Sequence, residues 1–134
     1  MTVERRDGQH PSEFSSWLRE QREIDSDIGY RTYNIDYLWT RDGTDKFLLI
    51  EEKRHMGQIK EGGRRAFKKI LSALQNNKNF LGFFLIRFEN TCPDDGKIYI
   101  SQLTGSWQKD FTTPEREISK DDLMVFLKLE WINE

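Results

Sequence analysis

Asn34-Ile35-Asp36-Tyr37-Leu38-Trp39-Thr40-Arg41-Asp42-Gly43-Thr44-Asp45-Lys46-Phe47-Leu48-Leu49-Ile50-Glu51-Glu52-Lys53 is the stretch on which the fold turns. The Asp42-Gly43 pair is a hairpin signal, because a tight two-strand turn needs positive φ and glycine supplies it without steric cost. Strands are expected on both sides, over Ile28 to Thr40, rich in Tyr, Ile, Leu and Trp, and over Lys46 to Lys53. Phe47-Leu48-Leu49-Ile50 is continuously apolar, which predicts a central strand covered on both faces. That strand then ends abruptly in charge. Alternation places Glu51 and Lys53 on one face and Glu52 on the other. Asp36 interrupts the preceding apolar strand, where a carboxylate is costly unless it is exposed, paired or bound to a metal.

Outward from the hairpin, Phe14, Trp17, Leu18 and Gln21 follow helical spacing and predict a first helix over about 11 to 23. Pro11 suits its first turn and Glu13 its positive end. Gly57 to Gly63 reads as a loop or a weak helix start. From Arg64 onward, Phe67, Ile70, Leu71 and Leu74 trace one apolar face of an amphipathic helix ending near Asn76-Asn77. Asn79 to Phe88 is strongly apolar, and Lys97 to Leu103 alternates. Ser119 and Asp122 resemble a capping box opening a last helix through Leu123, Phe126 and Leu127, extending towards Trp131. The expected order is a helix, two or three antiparallel strands, a crossover helix, two more strands and a closing helix. This is an α/β (α+β) chain with a mixed central sheet flanked by helices, the strand-helix-strand passage favouring a parallel crossover. Neither repeat nor linker interrupts residues 1–134, so a single domain is expected.

Composition narrows the class. A net charge of -2 does not mark a nucleic-acid binder, yet Lys53 to Lys69 holds seven basic residues against Glu61 alone, a local charge of +6. Solvated helix faces would account for such a run taken by itself. Cys92, the sole cysteine, excludes an intrachain disulfide and a cysteine-rich metal site. With no apolar core in Met1 to His10 and no run near the roughly 20 apolar residues of a membrane helix, the expectation is a soluble, cytoplasmic protein.

Two carboxylates and a lysine converging at a strand end suit phosphodiester hydrolysis. Carboxylate oxygens hold Mg²⁺ or Mn²⁺, the ion lowers the pKa of a bound water, and an ammonium orients the nucleophile or stabilises developing charge. Asp36 followed by Leu49-Ile50-Glu51-Glu52-Lys53 resembles the PD-(D/E)xK nuclease superfamily. In that superfamily an acid on one strand of a hairpin precedes (D/E)-x-K on the next. Gly29-Tyr30 and the basic helix after Lys53 are similar to the RecB-like and Holliday-junction-resolvase branches. The resemblance covers about residues 11 to 90. It implies a restriction-endonuclease-like αβββαβ core, catalysis by Asp36, Glu51 and Lys53, and a metal held by Asp36, Glu51 and a first-helix glutamate matched to Glu13, with Glu20 competing. The sequence departs from the pattern in having no proline before Asp36. Gln58 lies too early and Gln75 too late for the helix glutamine of the RecB-like branch, leaving Arg64, Arg65 or Lys68 for phosphate contacts.

Plainer roles exist for each residue. Asp36 has Arg31 and Lys46 as ion-pair candidates, Glu51 and Lys53 suit a surface pair at a strand end, and Glu13 complements a helix dipole. His55 reads as a solvated loop residue and His10 carries still less signal; Tyr30, Tyr33, Tyr37 and Trp39 read as core or cross-strand partners. The expected function is a Mg²⁺- or Mn²⁺-dependent nuclease acting on DNA, RNA being the other substrate, with Arg54, Arg64, Arg65 and Lys68 on the nucleic acid. A homodimer would let a protomer this small act on both strands of a duplex. The alternatives are a non-catalytic module binding nucleic acid or an acidic protein through the same basic stretch, and a structural protein whose acids and lysine are surface charge.

Overall fold

The computed structural model describes residues 12–29, 31–104 and 111–129. His10, Pro11, Tyr30 and Trp131 therefore lie outside the described residues. Between Tyr33 and Asn34 the chain divides into two units.

In the first unit, α1 spans Glu13–Arg19, and Ser12 caps it by accepting from Ser15 N–H at 3.0 Å. The predicted helix was longer. It stops at Glu20 because Gln21 is extended, and two 3-10 turns follow, Arg22–Ile24 and Ser26–Ile28. Phe14 and Trp17 stack on each other at 6.0 Å and both stay exposed, so the helical spacing was real without marking a buried face.

The second unit is a five-stranded sheet between two helices. Its strands are β1 (Tyr37–Thr40), β2 (Phe47–Lys53), β3 (Phe80–Phe88), β4 (Ile98–Gln102) and β5 (Arg116–Ile118), in the spatial order β1-β2-β3-β4-β5. The β1–β2 hairpin turns at Gly43 with φ of +92°, as the Asp-Gly pair predicts. The chain then crosses through α2 (Glu61–Leu74) to β3, which runs parallel to β2; all other pairings are antiparallel. A mixed sheet flanked by helices is thus present. Two strands precede α2 among the described residues, and the long strand expected from Ile28 shrinks to Tyr37–Thr40. Gly29 at φ of +103° and the preceding 3-10 turns break any earlier extension.

β2 divides the core. Leu49 joins Phe67, Phe83, Leu85 and Phe111 on the α2 side, whereas Leu48 and Ile50 join Ile86, Ile100 and Leu123 on the other. That second side is closed by α3 (Lys120–Leu127), which Ser119 caps at Asp122 N–H, 3.0 Å away. α2 begins three residues before the predicted Arg64, at Glu61. Lys60 is its N-cap and offers no side-chain cap, and two glycines occupy the first turn, so Glu61 is the one start signal there. β5 gave no recognisable pattern at only three residues.

The parallel pairing contains a shift that matters for the site. Phe47 stands opposite Phe80 but Leu49 opposite Phe83, so β3 carries one extra residue there. Gly82 lies in this bulge at φ of +136°, a conformation that L side chains rarely adopt. The shift brings Glu51 opposite Leu85 and Lys53 opposite Arg87. Gly82→Ala is expected to cost about 1–3 kcal/mol, and Leu38→Ala, at a side chain 64% exposed, less than about 0.5 kcal/mol. Urea unfolding of the two variants checks both.

Candidate active site

At the end of β2, strand alternation sends Glu51 and Lys53 to the α2 side of the sheet. Glu51 is 3% exposed, with its Oε2 3.6 Å from Lys53 Nζ. Its Oε1 is buried with no hydrogen-bond partner. The pair is therefore not the surface ion pair that a strand end would ordinarily carry.

Asp36 occupies a different position from the one its sequence context implied. It sits in a bend immediately before β1 and is exposed, so it does not interrupt the strand and bears little desolvation cost. Lys46 does not pair with it, its Nζ donating instead to Lys78 C=O at 3.3 Å, and Arg31, in the other unit, donates to Ser26 C=O. Asp36 Oδ2 accepts from Glu52 N–H at 2.8 Å, which ties the carboxylate to the backbone beside Glu51. The costly carboxylate is Glu51. Burial, and then the negative charge of Asp36, push its pKa up from 4.5 to about 7, with Lys53 partly offsetting them.

Glu52 faces the other way, accepting from Tyr37 Oη at 3.0 Å and from Arg54 Nε at 3.2 Å. The Tyr37 hydroxyl is held above its ordinary pKa mainly by that hydrogen bond. Behind Lys53 the chain turns through His55 and Met56, both left-handed at φ of 53° and 56°. Their amides are anchored on β3 and beyond, His55 N–H donating to Asn90 C=O and Met56 N–H to Phe88 C=O. His55 is exposed, as a loop histidine should be.

Arg87 escaped the sequence reading. Its Nη1 donates to the Met56 and Gly57 carbonyls, while Nε and Nη2 grip Glu115 at 2.6 and 2.7 Å. A signal was available, since Arg87 is the one charge in Phe80–Phe88, the same anomaly that singled out Asp36. The four expected nucleic-acid contacts separate by environment. Exposed Arg54 and Arg65 pair with Glu52 and Glu61, whereas Lys68 is half-buried. Arg64 is half-buried over the Phe111 ring, 5.4 Å from its centroid.

An orphaned, buried carboxylate oxygen beside a second carboxylate is the donor chemistry that a hard divalent cation accepts. Asp36 and Glu51 are the two acids brought together. Glu13, in the first turn of α1, and Glu20, at its C-cap, belong to the other unit. Among the described residues no group of three or more His, Cys, Asp or Glu side chains converges. No helix among them is long and apolar enough to cross a membrane. No family model, curated protein or solved structure matches this chain.

A raised carboxyl pKa means that the folded state binds the extra proton between pH 4.5 and 7, so stability falls as pH rises through that window. Without divalent metal, Glu51→Gln is expected to gain on wild type between pH 4 and pH 8, by on the order of 3 kcal/mol. Urea titrations of both proteins in chelator at each pH measure it. Parallel pH profiles would remove Glu51 as the source.

Proposed function

We propose that the chain is a metal-dependent nuclease with a restriction-endonuclease-like core, in which β1, β2, α2 and β3 supply the ββαβ portion of the αβββαβ pattern. The observation that carries this reading is Glu51, a buried carboxylate with one unpartnered oxygen at the end of the central strand. Asp36 and Lys53 flank it, in the order and spacing of the PD-(D/E)xK motif.

In this reading Asp36 and Glu51 hold Mg²⁺ or Mn²⁺, with free backbone carbonyls at the strand end completing the shell. When bound, the cation polarises the phosphate and lowers the pKa of a coordinated water. It also favours the charged form of Glu51. Lys53 contributes a cation at 3.6 Å from Glu51, able to orient the attacking water and to stabilise charge developing on the phosphoryl oxygens. The products are phosphate and hydroxyl ends. DNA is the proposed substrate, with Arg54, Arg64, Arg65 and Lys68 as its phosphate contacts. Exposed ion pairs such as those of Arg54 and Arg65 hold their partners weakly, so exchange for phosphate costs little.

A two-carboxylate donor set also suits a second reading, a nucleic-acid-binding module without catalysis, because two acids alone bind a divalent ion weakly. Single-stranded, duplex and branched DNA, incubated with Mg²⁺ or Mn²⁺, separates the two. Cleavage is expected to be metal-dependent and to fall at least about a hundredfold in Glu51→Ala and Lys53→Ala variants that remain folded. Salt-sensitive binding without any cleavage would transfer the assignment to the binding module.

A further inference from the structure

One strand spacing from Lys53, roughly 4.8 Å across the sheet, Arg87 borders a cavity of about 200 Å³. Gln58, Arg64, Ser101, Thr112 and Glu115 supply the rest of its polar lining, with Phe111 under the Arg64 guanidinium. Arg64 Nε is buried here without a hydrogen-bond partner. An unsatisfied donor on a charged group costs more than an unsatisfied neutral one, so this atom calls for an acceptor. Ser101 is itself buried and carries a hydroxyl. Two guanidinium groups against one carboxylate leave the lining with an excess positive charge.

We propose that this cavity binds a single phosphate group, with Arg64 as its principal anchor and Glu115 as a built-in competitor on Arg87. The proposal rests on the nuclease reading only for the source of the phosphate, a nucleic-acid strand running past Glu51 and Lys53. Size argues for phosphate alone, since pockets that enclose a larger ligand span roughly 300–1,000 Å³. A base has no platform there either: Phe111 is buried beneath Arg64. Four of the five Arg87 N–H donors go to Glu115 and two carbonyls, so it fixes the cavity wall while Glu115 is in place. Arg87 turns to the anion when Glu115 lets go.

Opposite signs in two variants test the assignment. Inorganic phosphate is titrated calorimetrically into the full chain, with chelator present and ionic strength held constant, so that the metal site plays no part. Arg64→Gln is expected to weaken binding about tenfold or more, and Glu115→Gln, which releases Arg87, to tighten it. Arg64→Lys should not restore wild-type affinity, because the ammonium lacks the Nε donor. Oligonucleotides with 5′-phosphate or 5′-hydroxyl ends distinguish the sources: preference for the phosphorylated end marks a terminal phosphate, and equal affinities that both fall in Arg64→Gln mark an internal one. Absence of phosphate binding, or binding indifferent to both Arg64→Gln and Glu115→Gln, overturns the inference even if DNA is cleaved. Phosphate binding that follows these variants sustains it even if no DNA is cut.

Discussion

The candidate site depends on the burial of a carboxylate at the end of the central strand. Leu48, Leu49 and Ile50 are packed from both sides, and β2 continues that burial one residue further, to Glu51. Removing a carboxylate from water is costly, and the protein offsets only part of that cost, with Lys53 on one oxygen and nothing on the other. A residue kept for stability alone would be better as a hydrophobe of the same volume. The arrangement makes chemical sense when the missing partner is supplied from outside.

Geometry around Glu51 is enforced by the backbone more than by side chains. Asp36 is held by an amide of β2, and the turn after Lys53 by carbonyls of Phe88 and Asn90. Arg87 clamps that turn through the Met56 and Gly57 carbonyls. All of this requires the register in which Lys53 meets Arg87, and that register requires the extra residue at Gly82. Without the bulge Lys53 would stand opposite Ile86, and the face shared with Arg87 would be lost.

Charge is distributed unevenly over this frame. Arg54 and Arg65 lie at the surface in weak pairs, able to exchange partners quickly. Arg64 and Arg87 are partly withdrawn from water, where a guanidinium interacts more strongly and more selectively. The +6 stretch noticed in the sequence therefore divides into exposed charge, Lys53 beside Glu51, and Arg64 facing a cavity.

Much of the fold was readable from the chain. The Asp42-Gly43 turn, the buried β2 run, the apolar face of α2 and the Ser119 cap are local signals, each arising from one residue's conformational preference or from a simple period. Glu51 and Lys53 were identifiable because alternation alone puts them on one face. Tertiary structure decided what depends on distant partners. It moved the desolvation cost from Asp36 to Glu51, since burial depends on what packs above a strand. By drawing Arg64 partly out of water over Phe111 and setting Arg87 against Glu115, twenty-eight residues away, it also brought an anion-sized cavity into being, because side chains far apart in sequence meet only after the sheet has assembled.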